Sequence, residues 1–361
     1  MTIPLFTVVI DTYNHELFIE QAVRSVLQQD FPAADREILV VDDGSTDRTP
    51  QILRSFGSEI RILRKANGGQ ASAFNAGIPE CRGEIAAFLD GDDWWAPGKL
   101  RRVAEVFAAE PAIGIVGHGI LESYDEDLVK PIAPPTSERL RLNSLAAARL
   151  FRLRKCFLGT SRMSIRTTLA RKILPVPESL RIEADEYLFT VAAALSELLI
   201  VPDTLTHYRQ HKASLYNSAG SSTAGLRQKQ VVLSALAEVL RQKLPGFGVP
   251  DDAVRCVVEI VQAEADQLRL TLDGGGPWET LRTENTIYRV MHADASRGQR
   301  LFRSATMLPA CFLPPRWFYG TRRWLARQDW YHTARSKFLP VPAVTGVAAQ
   351  ETPKRGHGSR F

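Results

Sequence analysis

Three short segments hold side chains whose type and spacing suit a polar, phosphorylated ligand. In Val40-Val41-Asp42-Asp43-Gly44-Ser45-Thr46-Asp47, two adjacent carboxylates end an apolar run. There they can accept from a base N–H and from ribose hydroxyls, and the helix start that follows can hold an anion. The same residues also serve as ordinary turn formers and helix caps. In Phe88-Leu89-Asp90-Gly91-Asp92-Asp93-Trp94-Trp95, a second apolar run ends in three carboxylates around a glycine. The glycine permits a tight turn, so two carboxylates can face one point. Hard cations such as Mg²⁺ or Mn²⁺ prefer such oxygens and keep positions open for phosphates. Without a cation or donors nearby the acids would repel one another, and a solvated acidic turn is the other reading. The indoles of Trp94 and Trp95 suit stacking on a sugar ring, which makes both candidate saccharide contacts. In Asn67-Gly68-Gly69-Gln70, paired glycines ahead of a helix allow close approach of backbone to ligand, although such a pair also marks a plain turn. Neither G-x-G-x-x-G nor a P-loop occurs in the chain.

The elements that must position these segments alternate between strand and helix over the first 120 residues, which predicts an α/β fold with a largely parallel sheet. Leu5–Ile10, Glu37–Val41, Ile60–Leu63 and Ile85–Leu89 read as strands. Helices are predicted from Phe18 to Leu27, after Ser45–Asp47, and over Gln70–Ile78. The polar segments thus fall at the carboxyl ends of strands, where open α/β sheets bind ligands. Residues 125–140 are proline-rich and charged, and read as an irregular surface connection. Ser161–Ile165 and Leu198–Val201 read as further strands, with a helical stripe at Leu188, Val191, Ala192 and Leu195 between them. Helical patterns return at Leu226–Leu244 and Ala253–Leu272.

In this order and at these distances, the segments VVIDTYNHELFIEQAVRSVLQQDFP, EILVVDDGSTDRT, NGGQASAFNAG and AAFLDGDDWW resemble glycosyltransferase family 2, with its GT-A fold. The resemblance is strong over residues 4–110 and looser to about residue 215. One departure is Asp11, where many members have proline. The resemblance implies a nucleotide-sugar donor, with a UDP-sugar foremost, and an inverting, metal-dependent transfer to a saccharide or lipid-linked acceptor. Thr12 and Asp43 would meet the uracil and ribose, with Asp11 and Asp42 nearby, and Asn67, Gly68 and Gln70 would line the donor cleft. Asp90 and Asp92 match the D-x-D of the family, Asp90 toward the ribose or sugar and Asp92 on a Mg²⁺ or Mn²⁺ ion at the diphosphate, with Asp93 as a helper. Asp185, in Glu183-Ala184-Asp185-Glu186, matches the catalytic base. Its acidic neighbours Glu183 and Glu186 could instead complement a helix dipole. His207-Tyr208-Arg209-Gln210-His211 resembles a closing Y-R-x-H, in which Arg209 would meet the diphosphate and His211 the metal, or else form a surface turn. A catalytically silent nucleotide-sugar or carbohydrate-binding protein on the same fold is the rival expectation.

The 361 residues suggest two domains at roughly 150 residues each. The predicted division is a catalytic domain over 1–215, a helical extension over 216–296, a basic aromatic segment over 297–337 and a flexible tail over 338–361. The net charge of +5 is unevenly spread. Residues 297–337 hold nine Lys and Arg against the single acid Asp329, and the tail adds a further +2, which leaves residues 1–296 at −5. Within 297–337 the arginines interleave with Phe302, Phe312, Trp317, Phe318, Tyr319, Trp324, Trp330 and Tyr331. That pattern fits an anionic membrane surface, a helical cap on the catalytic domain, or a nucleic-acid patch; no nucleic-acid-binding fold is legible, so no nucleic-acid partner is expected. The four dispersed cysteines argue against a disulfide framework. The N-terminal stretch has no basic region ahead of its short apolar run, and no apolar run reaches membrane-spanning length. The expected location is cytoplasmic, with attachment to the inner face of the cell membrane as one option.

Overall fold

The computed structural model describes residues 4–123, 129–210, 222–291 and 296–325. β1 (Phe6–Thr12), α1 (Ile19–Leu27), β2 (Arg36–Asp42), α2 (Thr49–Arg54), β3 (Arg61–Arg64), α3 (Gln70–Glu80) and β4 (Ile85–Asp90) follow the predicted alternation. β5 (Trp94–Trp95), α4 (Lys99–Ala109) and β6 (Ile113–Ser123) come next. They lead to β7 (Val129–Ile132), β8 (Glu138–Leu140), α5 (Leu145–Arg154), β9 (Ser164–Arg166) and α6 (Thr167–Ile173). The sheet unit closes with α7 (Ala184–Leu195) and β10 (Glu197–Arg209). Ten strands among the described residues form one sheet, with the main path β3-β2-β1-β4-β9-β6-β10-β5 and with β7 and β8 added on β6 and β10. β1 pairs in parallel with both β2 and β4, and β2 with β3. This is the mostly parallel α/β sheet expected for a GT-A fold.

Alternation along the strands explains the two layers. Phe6, Val8 and Ile10 of β1 pack with Ile19, Val23 and Val26 of α1 and Leu100 and Val103 of α4 on one face. Val9, Leu39 and Val41 face the other way, onto Phe74 and Ile78 of α3 and Leu188 of α7. Within the segment expected to be an irregular connection, residues 129–140 carry two strands, β7 paired with β6 and β8 paired with β10. Pro131 is tolerated in β7 because that strand is bonded only to β6.

Beyond the sheet come α8 (Thr223–Lys243), α9 (Asp251–Asp273), α10 (Pro277–Met291), α11 (Arg297–Met307) and α12 (Pro315–Leu325). Leu236 and Leu240 of α8 and Val257 and Val261 of α9 join the same hydrophobic cluster as the α3/α7 face of the sheet. The helical extension is therefore built into the core. α12 docks through Phe318 and Tyr319 beside Leu270 of α9. Arg303 and Arg322 both ion-pair with the buried Glu284 of α10. No helix among the described residues is long and apolar enough to cross a membrane.

Candidate active site

Parallel register delivers the acidic residues to one edge of the sheet. Asp11 lies opposite Asp90 on β4, and Thr12 opposite Asp42 on β2. The turn after β4 passes so close to β1 that a Cβ at Gly91 would fall 2.6 Å from Thr12 Oγ1 and 2.7 Å from His15 Nδ1, so any larger residue would displace those side chains. Asp11 Oδ1 is buried with no hydrogen-bond partner. Burial, then the charges of Asp92, Asp185 and Asp43, push the Asp11 carboxyl up to about 8. Burial and the neighbouring Asp11 raise Asp90 well above the usual carboxylate range.

The short 3₁₀ turn Thr160–Arg162, read from sequence as the start of a strand, joins this acidic edge to α7. Ser161 Oγ donates to Asp90 Oδ2 at 3.2 Å and accepts from Asp90 N at 3.1 Å. Thr160 N and Oγ1 donate to Asp185 Oδ2 at 3.0 and 3.2 Å, while Asp185 Oδ1 accepts from Glu186 N. Burial, then the Glu183 charge, push Asp185 up to about 6, and Arg162 acts against that rise. Thr160, Ser161 and Arg162 were not singled out in the sequence, where they carry no pattern beyond a short polar triplet.

Asp42 and Asp43 divide their work. Asp42 is fully buried, accepts from Ser45 N at 2.8 Å and ion-pairs with Arg64 at 3.2 Å. Through these contacts it shapes the turn after β2. Asp43 accepts from Lys65 Nζ at 2.6 Å, Asn67 Nδ2 at 3.1 Å, Gly68 N at 3.0 Å and Gly69 N at 2.7 Å. It thus fixes the 65–69 loop, and Lys65 is a cation that the motif reading passed over. Gly69 has φ +85°, and a Cβ there would meet Arg181 O at 2.6 Å. Gln70 then bridges the loop to α7, donating to Thr160 Oγ1 at 3.0 Å and accepting from Ala184 N at 2.9 Å.

The two tryptophans part company. Trp95 is 2% exposed, its indole N–H donates to Ser161 O, and the Lys99 ammonium lies 3.9 Å from its ring centroid. It is a core ring, which corrects its expected stacking on a sugar ring. Trp94 is half-buried, stacked on His207 at 4.7 Å with Arg209 at 4.4 Å from its ring. Arg209 Nε also donates to Asp92 O at 2.8 Å, and its guanidinium reaches Gln21 of α1, so this side chain braces the acidic loop. Asp93 turns inward and accepts from Arg209 N at 2.9 Å; burial, then Asp92, push it up to about 7. Lys99 is buried beside it and donates to Ser161 O at 2.7 Å. His211 lies outside the described residues.

The model of the family described as "Glycosyl transferase family 2" matches residues 7–172. An uncharacterized glycosyltransferase of Nostoc sp. is 34% identical over 226 residues, covering 60% of this chain and 68% of that protein. The chain belongs to glycosyl transferase family 2. Among other relatives, the poly(ribitol-phosphate) beta-N-acetylglucosaminyltransferase TarS of Staphylococcus aureus is 28% identical over 232 residues, 59% of this chain and 38% of TarS. Similar folds include a mannosyltransferase from Pyrobaculum calidifontis solved with GDP-Man and Mn²⁺, with TM-score 0.52, 17% identity and coverage of 93% of this chain and 84% of that one. TarS residues 1–349 solved with UDP-GlcNAc give TM-score 0.50 at 20% identity, over 80% of this chain and 91% of that one. The chain is accordingly a glycosyltransferase, and the silent binding-protein alternative is set aside.

A family 2 enzyme with these residues has a donor set of hard oxygens suited to a divalent cation. At this edge Asp11 Oδ1 has no hydrogen-bond partner, and burial followed by repulsion from neighbouring carboxylates raises Asp11, Asp90 and Asp93. Among the described residues no three His, Cys, Asp or Glu side chains form a ready cage for a metal.

Proposed function

We propose that this glycosyltransferase moves a sugar from a UDP-sugar to a saccharide or lipid-linked acceptor with inversion at the anomeric carbon. The observation that carries the reading is the convergence of Asp90 and Asp185 on the two sides of the Thr160–Arg162 turn. In this reading Thr12 and Asp43 meet the uracil and ribose, Asn67, Gly68 and Gln70 line the donor, and Asp11 and Asp90 face the ribose or sugar. Asp92 would hold Mg²⁺ or Mn²⁺, which when bound supplies Lewis-acid stabilisation of the departing diphosphate. The Asp185 carboxylate takes the proton of the acceptor hydroxyl as that oxygen attacks from the face opposite the diphosphate. Such general-base help contributes roughly 10²–10⁴-fold. Trp94, at the edge of a groove of about 520 Å³ shared with Gln21, Arg24 and His207, offers its exposed part to the acceptor. The UDP-GlcNAc in the TarS structure supports a uridine donor. Titration calorimetry with UDP and GDP, with and without Mn²⁺, tests it. Tight binding of UDP only with Mn²⁺ is expected; preference for GDP, or UDP affinity indifferent to Mn²⁺, overturns the corresponding part.

The second element of the reading is attachment to an anionic membrane surface through the C-terminal helices. Arg297, Arg300 and Arg316 are exposed on this segment, and Arg303 and Arg322 ion-pair with Glu284. Exposed with them are Leu301, Leu308, Phe312 at 81%, Trp317 at 64% and Trp324. Trp317 and Trp324 stand seven residues apart on α12, and hence on one face. Aromatic and basic side chains on one amphipathic segment favour the headgroup region of anionic lipid. The full chain is expected to sediment with phosphatidylglycerol vesicles in a salt-sensitive way and to lose this in a Trp317→Ala/Trp324→Ala variant. Equal recovery with neutral phosphatidylcholine vesicles, or none with either, overturns it.

A further inference from the structure

The residues on either side of Asp185 are held by charges that come from outside the sheet. Glu183 adopts a left-handed backbone, φ 57° and ψ 23°, at the start of α7. A non-glycine residue in that region is strained and persists where its surroundings fix it. Its carboxylate ion-pairs with Lys229 of α8 at 2.5 Å. On the other side, Glu186 is 3% exposed and accepts from Arg152, and from Lys155 at 3.0 Å. The same two cations reach Glu264 of α9, Arg152 at 3.1 Å and Lys155 at 2.9 Å. The first turn of α7 is thus anchored to α8 at Glu183 and to α9 through Glu186. Between these anchors, Glu186 N and Thr160 N orient the two oxygens of Asp185. A shift of either anchor changes the angle at which that carboxylate meets the acidic edge of the sheet.

We propose that Lys229 and Glu264 are positioning residues, through which the helical extension completes the catalytic site by fixing the α7 start that carries Asp185. The inference rests on Asp185 being the base. Both side chains are partly exposed, at 19% for Lys229 and 30% for Glu264. Their replacement is therefore compatible with a folded chain.

The test uses the full chain with UDP-sugar and Mn²⁺, reading nucleoside diphosphate release, with Asp185→Asn as the reference. Lys229→Met and Glu264→Gln are each expected to lower kcat about tenfold with donor KM within about twofold, because a small misplacement of a reacting group acts on the chemical step. Lys229→Arg, which keeps the charge, is expected to restore kcat to within about twofold. Thermal melts confirm folding, and Glu264→Gln carries the test if Lys229→Met is unstable. Inactive Asp185→Asn alongside unchanged kcat in both variants overturns the positioning role and leaves the base assignment standing. A rise in donor KM alone, or a Lys229→Arg enzyme as slow as Lys229→Met, also overturns it. Normal turnover by Asp185→Asn removes the base assignment, and this inference with it.

Discussion

Replacing Arg152 with methionine separates the electrostatic anchor of α7 from its packing. The Arg152 side chain is fully buried and donates to Glu186 and Glu264, so methionine fills much of its volume but leaves Glu186 with Lys155 alone. Despite its burial, Glu186 is held down from 4.5 to about 2, with Arg152 the largest favourable charge and Lys155 the next. A carboxyl whose folded value is depressed stabilises the fold above its unfolded value, and that stability is lost as pH falls toward the folded one. At 1.36 kcal/mol per unit, this amounts to about 3 kcal/mol at pH 7, and removing one partner of a buried pair costs roughly 3–5 kcal/mol. Urea unfolding of wild type and Arg152→Met is therefore expected to differ by about 3 kcal/mol at pH 7. The gap should hold down to about pH 4.5 and narrow below it as Glu186 protonates in the unfolded chain. A difference below about 1 kcal/mol at pH 7, or one as large at pH 3 as at pH 7, would refute the reasoning.

Three further outcomes are expected. Asp185 must be ionised to accept a proton and is pushed up to about 6, so kcat/KM should rise with pH through an acid limb near that value; a flat profile between pH 5 and 8 would exclude it. Gly69→Ala forces a Cβ to 2.6 Å from Arg181 O at φ +85° and should raise donor KM at least tenfold while lowering stability by about 1–3 kcal/mol, checked by kinetics and melting. Asp92→Ala should abolish UDP-dependent Mn²⁺ binding followed by electron paramagnetic resonance; retention within threefold would remove Asp92 as the ligand.

The parallel half of the sheet is legible in the sequence because β1, β2 and β4 are buried on both faces and read as unbroken apolar runs ending in Asp. The acidic edge is legible for the same reason, since strand ends bring Asp11 and Asp90 side by side. What was not legible depends on long-range pairing. Lys99 is buried on Trp95 and Ser161 O, and Trp95 lies with it in the core, a pairing that the local sequence does not encode. Asp42 looks equivalent to Asp43 in sequence, but it is buried and ion-paired with Arg64 on a neighbouring strand, whereas Asp43 gathers the 65–69 loop. The Thr160–Arg162 turn matters because it meets Asp90 and Asp185 at once, a relation that spacing along the chain does not encode.

The central claim is that Asp185 activates an acceptor hydroxyl against a nucleotide sugar held at the Asp90/Asp92 edge. The direct measurement is nucleoside diphosphate release from a panel of nucleotide sugars with Mn²⁺ and candidate saccharide and lipid-linked acceptors, run on wild type and Asp185→Asn side by side. The account predicts acceptor-dependent release of UDP by wild type, a loss of about 10²–10⁴-fold in Asp185→Asn, and unchanged UDP binding by that variant. Acceptor-dependent turnover by Asp185→Asn within tenfold of wild type would contradict it.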